Sequence, residues 1–201
     1  MAVASWARDV ARGLLAEALP RRWAHVKGVA DKAEHVAVSL SLNGEALVAA
    51  AWLHDVGYAP DVVDTGFHPL DGACYLARRG TPERVVNLVA RHSYAILEAE
   101  LRGVGYRLAV FPDERGVLRD ALWYCDLTTS PVGEPIRAEE RIVEIKQRYG
   151  PGHIVTRFIT EGAPELLVAV ERTERRLAGS KPASAFAVTY APPGFSADAH
   201  P

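Results

Sequence analysis

The sequence predicts an all-α fold. Three observations carry that expectation: apolar residues recur at helical spacing along most of the chain, Pro and Gly divide it into segments of helix length, and no run sustains the period-two alternation of a strand. In residues 2–19, Val3, Trp6, Val10, Leu14 and Leu15 mark one face, and Pro20 breaks the pattern. Residues 21–42 form a second helix through Trp23, Val26, Val29, Ala30, Ala33, Val36, Ala37 and Leu40, closed by an Asn43-Gly44 turn. A third covers 45–55. Residues 57–67, with Pro60, Asp61, Asp64 and Gly66, read as a loop. His68-Pro69 opens a fourth helix, Pro being tolerated in a first turn, and Gly80 ends it. A fifth has Thr81 as N-cap, Pro82 at its first position and Glu83 in its first turn, and runs to His92. Gly103, Gly105 and Pro112 make 100–112 a broken helix or a loop. The pattern resumes over 117–128. Ser130 to Pro135 is a loop, 137–149 a charged amphipathic helix, and 153–161 and 164–178 two closing helices. Residues 179–201, dominated by Ser, Ala, Pro and Gly, are expected to form a flexible tail, which leaves 1–178 as a single domain.

A chain of 201 residues with 49% hydrophobic content can bury a sizeable core. Its net charge of −2 provides no strong field for a nucleic-acid polymer or an anionic membrane. Arg outnumbers Lys by 19 to 4, which reads as compositional bias. Two cysteines, Cys74 and Cys125, make no disulfide framework and read as reduced core thiols. The first six residues lack a basic leader, and no apolar run has membrane-spanning length, so a cytoplasmic protein is expected.

The chemistry centres on Ala49-Ala50-Ala51-Trp52-Leu53-His54-Asp55-Val56-Gly57-Tyr58, an apolar run that ends abruptly in His-Asp. Leu47, Ala50 and Ala51 precede His54 by seven, four and three residues and share its helical face. His54 and Asp55 therefore arrive where a buried helix opens out, with Gly57 placed to end it. A His and a carboxylate together suit Fe, Mn, Zn or Ni.

Other segments offer the same residue types at inward positions. His25 adjoins Val26 and Val29. His68 opens a helix. His92 follows Val89 and Leu88, and Asp126 follows Trp123 and Leu122, each by three and four residues. A carboxylate on an apolar stripe is costly unless it is paired or bound to metal. Singly, each has an ordinary reading: a hydrogen-bonded core imidazole for His25, a cap for His68, a helix-end His for His92 and an Arg partner for Asp126. Together they place a candidate ligand on each of five helices, and two on one. His35 lies about 80° around the helix from His25, His153 sits beside a Gly-Pro-Gly turn and His200 is in the tail, so all three read as structural.

The order His25, His54-Asp55, Asp126 resembles the HD domain superfamily of metal-dependent phosphohydrolases. The local contexts agree: Trp23-Ala24-His25-Val26-Lys27-Gly28-Val29-Ala30, Ala50-Ala51-Trp52-Leu53-His54-Asp55-Val56-Gly57 and Tyr124-Cys125-Asp126. Phe67-His68-Pro69-Leu70-Asp71-Gly72-Ala73 and Arg91-His92-Ser93 supply the two further histidines of the dinuclear subgroup. The resemblance spans roughly residues 20–130, and the segment beyond carries no part of it.

The resemblance implies an all-α HD-domain bundle, here with additional C-terminal helices. It implies one metal held by His25, His54, Asp55 and Asp126, and a second held by Asp55, His68 and His92. The ions would be divalent, Fe or Mn first, with Zn, Ni, Co or Mg as alternatives, and would activate water and neutralise phosphoryl charge. His54 and Asp55 are then the catalytic core. A phosphate substrate also needs nearby cations or hydroxyls, and Lys27 and Arg91 are the leading cations, with Arg22, Ser93, Thr128 and Thr129 beside them. Asp71, three residues after His68, is placed either to orient an imidazole or to favour a helix N-terminus. The expected activity is hydrolysis of a small phosphorylated metabolite or nucleotide. The alternative is a mixed-valent diiron oxygenase similar to myo-inositol oxygenase or to the enzymes that cleave carbon–phosphorus bonds. A non-catalytic nucleotide-binding domain is the third reading. The C-terminal helices are placed either to cover the core or to form a homodimer face.

Overall fold

The structure, a computed structural model, describes residues 2–42 and 44–180. Its helices are α1 (Ala2–Leu15), α2 (Pro20–Ser39), α3 (Glu45–Leu53), α4 (His68–Arg78), α5 (Glu83–Ala90), α6 (Ala95–Leu101), α7 (Gly105–Leu108), α8 (Val117–Leu127), α9 (Ala138–Tyr149) and α10 (Ile154–Gly179). Two 3-10 turns, Val56–Tyr58 and His92–Tyr94, follow α3 and α5. The fold is all-α. Among the described residues there is no strand, only an isolated bridge between Thr129 and Pro135. Among the described residues no helix is long and apolar enough to cross a membrane.

The short helix α3 lies at the centre because it has no polar face: Leu47 to Leu53 are all buried. α1, α2, α5 and α8 pack around it. Trp23 of α2 stacks on Trp52 of α3 with ring centroids 5.5 Å apart. A second apolar cluster, including Trp123, Ile142, Phe158 and Leu166, joins α8 to α9 and α10. The C-terminal helices thus cover the side of α8 that faces away from α3.

Three local expectations need correction. The closing segment is one helix, Ile154–Gly179, and it runs through Pro164. Proline removes one helical donor, but packing against α8 and α9 holds the helix together across it. Gly162 permits the approach on the α6 side: a Cβ there would meet Tyr94 Cδ1 at 3.2 Å. The fifth helix starts one residue late, since Pro82 is extended at its N-cap, and the Thr81 hydroxyl is buried without a hydrogen-bond partner. That helix also ends at Ala90, so His92 lies in the turn beyond it. The ambiguous stretch at 100–112 resolves into the end of α6 and the single turn α7. The expected tail lies, from residue 181, outside the described residues, as does Asn43 of the expected turn.

Candidate metal centre

Six side chains converge where α2, α3, α4 and α8 meet the two 3-10 turns. α2 brings His25 and α8 brings Asp126. His54 caps α3, Asp55 begins the turn Val56–Tyr58, His68 opens α4, and His92 begins the second turn. His25, His54, Asp55 and His92 are buried. His25, His54 and Asp126 offer ligand atoms within 4.8 Å of one another, and so do Asp55, His68 and His92.

Asp55 connects the two groups. Its Oδ2 lies 3.3 Å from His54 Nε2 and 3.8 Å from His25 Nε2, while its Oδ1 lies 3.4 Å from His68 Nε2. His68 Nε2 and His92 Nε2 are 3.1 Å apart. His25 Nε2 is 3.0 Å from Asp126 Oδ1.

Backbone carbonyls fix three of the rings. Nδ1 of His25 is 3.0 Å from the Ser130 oxygen, that of His54 is 2.7 Å from Ala51, and that of His92 is 2.6 Å from Val89. A carbonyl only accepts, so each Nδ1 donates its proton and each Nε2 faces the cluster. His54 and His92 reach back three residues, to carbonyls that a helix leaves unpaired at its end. This is why both sit just past the ends of apolar helices. His54 Nε2 is buried without a hydrogen-bond partner. A buried nitrogen lone pair among carboxylates is costly unless a proton or a metal ion occupies the position. The residues present therefore fit a metal.

The charges agree. Burial opposes ionisation of Asp55, but Arg22 and His54 outweigh it and hold the carboxyl well below its usual range. Burial likewise opposes ionisation of Asp126, and the close contact with His25 together with the charge of His54 overcomes it. Burial lowers His68 and His92, whose rings stay neutral as a ligand requires. His54 differs: burial disfavours its charge, but Asp55 and Asp126 prevail and raise it to about 9.

Neighbouring residues hold this arrangement. The Ser93 hydroxyl donates to Asp126 Oδ2. Ser93 and Tyr94 both have left-handed backbones, with φ of 46° and 59°, a costly conformation for non-glycine residues that reverses the chain directly after His92. Asp71 does not orient an imidazole. It accepts from the backbone N–H groups of Asp64, Thr65 and Gly66 and from the Thr65 hydroxyl, which ties down the loop before His68.

The cations are placed differently from expectation. Lys27 is exposed, and Arg91 donates from Nε to the Phe111 oxygen at 2.7 Å. Neither lines the cavity over the two ligand groups. Arg22 does: its Nη1 donates to Asp55 Oδ2 at 2.8 Å, and its guanidinium lies 4.1 Å over the Tyr58 ring. Tyr58 in turn stacks on His68 at 4.0 Å. The cavity, about 90 Å³, is completed by Arg141 and Arg148 of α9 and by apolar residues of α10 such as Phe158 and Leu166. Arg141, Ile145 and Arg148 share one helical face at a spacing of four and seven, a signal visible in the sequence. Thr128 and Thr129 donate their hydroxyls to the Tyr124 and Cys125 carbonyls at 2.6 and 2.7 Å. His153 caps α10, accepting from Val155 N at 3.1 Å.

The HD domain family matches residues 22–146, a span that includes all six converging residues and most of α9. No curated protein and no solved structure matches the chain.

Proposed function

The chain belongs to the HD domain family, and from that premise we propose that it is a metal-dependent phosphohydrolase acting on a small phosphorylated metabolite or nucleotide. One observation carries the reading: the Asp55 carboxylate is shared, Oδ2 facing His54 and His25 and Oδ1 facing His68. A bridging carboxylate between two ligand groups is what a dinuclear hydrolytic centre requires. His25, His54, Asp55 and Asp126 would hold one ion, and Asp55, His68 and His92 the other.

Divalent ions held there would polarise phosphoryl oxygens and acidify water, with Fe or Mn the first candidates. The protein's own part is positioning and charge. Backbone carbonyls lock the imidazoles with Nε2 inward, and Arg22 fixes one carboxylate oxygen of Asp55. Arg141, paired with Glu144, and Arg148 add positive charge to a wall shared by Glu98 and by the apolar Phe158, Ile159 and Leu166.

The deciding experiment is elemental analysis of protein purified without chelator, followed by a phosphate-release panel on the loaded chain. About two Mn, Zn, Ni or single-valence Fe ions per chain with phosphate release supports the hydrolase. A stable mixed-valent iron pair in Mössbauer spectra would transfer the chain to the oxygenase reading. No metal, even after titration, would overturn both.

A further inference from the structure

We infer that a second cavity beside the metal groups is a subsite for a second anionic group on the substrate, an inference that rests on the hydrolase reading. The inner cavity, about 90 Å³, is well below the usual size of a ligand site and has room for little beyond the reacting phosphoryl group. An outer cavity of about 380 Å³ adjoins it. The two share Arg22, Tyr58 and Arg148 as a common wall. A substrate that reaches the metal groups past that wall leaves the rest of itself in the outer cavity.

The lining of the outer cavity defines what that remainder is. Arg21 joins Arg22 and Arg148, and none of the lining residues is acidic. Arg22 is already committed to Asp55. Arg148 has a 3.6 Å contact from Nε to Glu144 Oε1, with both side chains about a third exposed, and lies 5.0 Å over the Tyr149 ring, contacts of little strength that leave guanidinium donors unused. Arg148 and Arg21 are therefore available for an incoming anion. A guanidinium takes phosphoryl or carboxylate oxygens in pairs, so either group satisfies the site. Leu19, Pro20 and Pro131 give the same cavity an apolar floor for the carbon skeleton between the charges.

The test is calorimetric binding of orthophosphate, pyrophosphate and phosphoglycolate to the Mn-loaded chain. At least one bis-anion binds about tenfold tighter than orthophosphate, in keeping with one additional charge-assisted contact. A gain for pyrophosphate alone identifies a phosphoryl subsite, and a gain for phosphoglycolate alone a carboxylate subsite. In Arg148→Gln the ratio to orthophosphate collapses towards one. Arg21→Gln, on the exposed side of the same cavity, reads the same ratio should the first variant fail to fold. Neither bis-anion gaining would overturn the inference. So would a gain that persists in the variants, which is also what chelation of the metal by pyrophosphate would produce. A chain that binds the bis-anions in this way yet hydrolyses no phosphate compound would sink the hydrolase reading alone.

Discussion

Arg22 and Asp55, 33 residues apart in sequence, meet at 2.8 Å, with the Arg22 side chain one-fifth exposed and that of Asp55 almost wholly buried. Removing the guanidinium strands a buried charge, which costs more than the pair itself contributes. Arg22→Met keeps the aliphatic stem and removes the donor. It should lose about 1–3 kcal/mol in urea unfolding with chelator present, below the fully buried limit because Arg22 is partly exposed. Asp55 is held below its usual range, so its contribution is present above the unfolded carboxylate pKa and vanishes as pH falls through the lowered native value. The gap between wild type and variant should therefore close in acid. Equal stabilities at neutral pH would show that Asp55 draws its compensation from elsewhere.

Asp55 reaches both ligand groups, through Oδ2 to His54 and His25 and through Oδ1 to His68. Asp55→Ala should abolish binding of both ions. His68→Ala or His92→Ala should weaken the second preferentially, by at least about tenfold, since each removes one donor of three. Metal stoichiometry by elemental analysis and affinity by competition with a chelating dye read both effects. Two equivalents retained by Asp55→Ala would end the bridging assignment.

The six converging residues were legible because each lies at helical spacing from apolar neighbours or at a helix end, so local pattern alone aims them inward. His54 and His92 go further: the helix-end carbonyls that fix their rings are only three residues away. The cations were not legible in this way. Arg22 and Lys27 flank His25 in sequence, yet only Arg22 faces Asp55, because the other partner arrives in the turn after α3. The α9 wall escaped for a related reason. Arg141 and Arg148 have helical spacing, but their inward side is set by α10, whose course through Pro164 contradicts the local signal for a break. Thr81 shows the converse, a cap residue displaced by the extended proline after it.

His54 makes metal binding pH-dependent. Its pKa rises from 6.5 to about 9 between the carboxylates, so without metal it carries a proton at neutral pH. A metal can take Nε2 only by expelling that proton. His68 and His92 are shifted the other way and release none. Affinity for the first ion should rise by up to tenfold per pH unit from about 7 towards 9 and then level off. Without metal the sign reverses: a raised His pKa stabilises the fold fully below 6.5, and the contribution fades as pH climbs through about 9. Mn titrations in buffers of differing ionisation enthalpy would count the protons. An affinity independent of pH over this range would mean that His54 is neutral before the metal arrives.

Gly57 tests whether the His-Asp turn and the start of α4 must touch for the second group to form. It was expected to end α3 by conformation, but its place in the structure is steric. A Cβ there would lie 2.0 Å from the His68 oxygen and 2.8 Å from the Gly72 nitrogen, both backbone atoms that no rotamer change can move. Gly57→Ala must push α4 away, and His68 travels with it, from its 3.4 Å contact with Asp55 Oδ1. The variant should lose about 2 kcal/mol or more, in the upper range for overpacking. Its affinity for the second ion should fall further than for the first, because His25 and Asp126 lie on α2 and α8 and His54 at the end of α3. Gly13→Ala is the control. It lies in α1 with nothing within 4 Å of the added methyl, so helix propensity alone applies. A gain of about 0.5–1 kcal/mol is expected there, with metal binding unchanged. Thermal unfolding and dye competition on the two variants decide the matter. A Gly57→Ala chain as stable as wild type, with the second ion bound as tightly, would show that α4 can shift without carrying His68 out of the site.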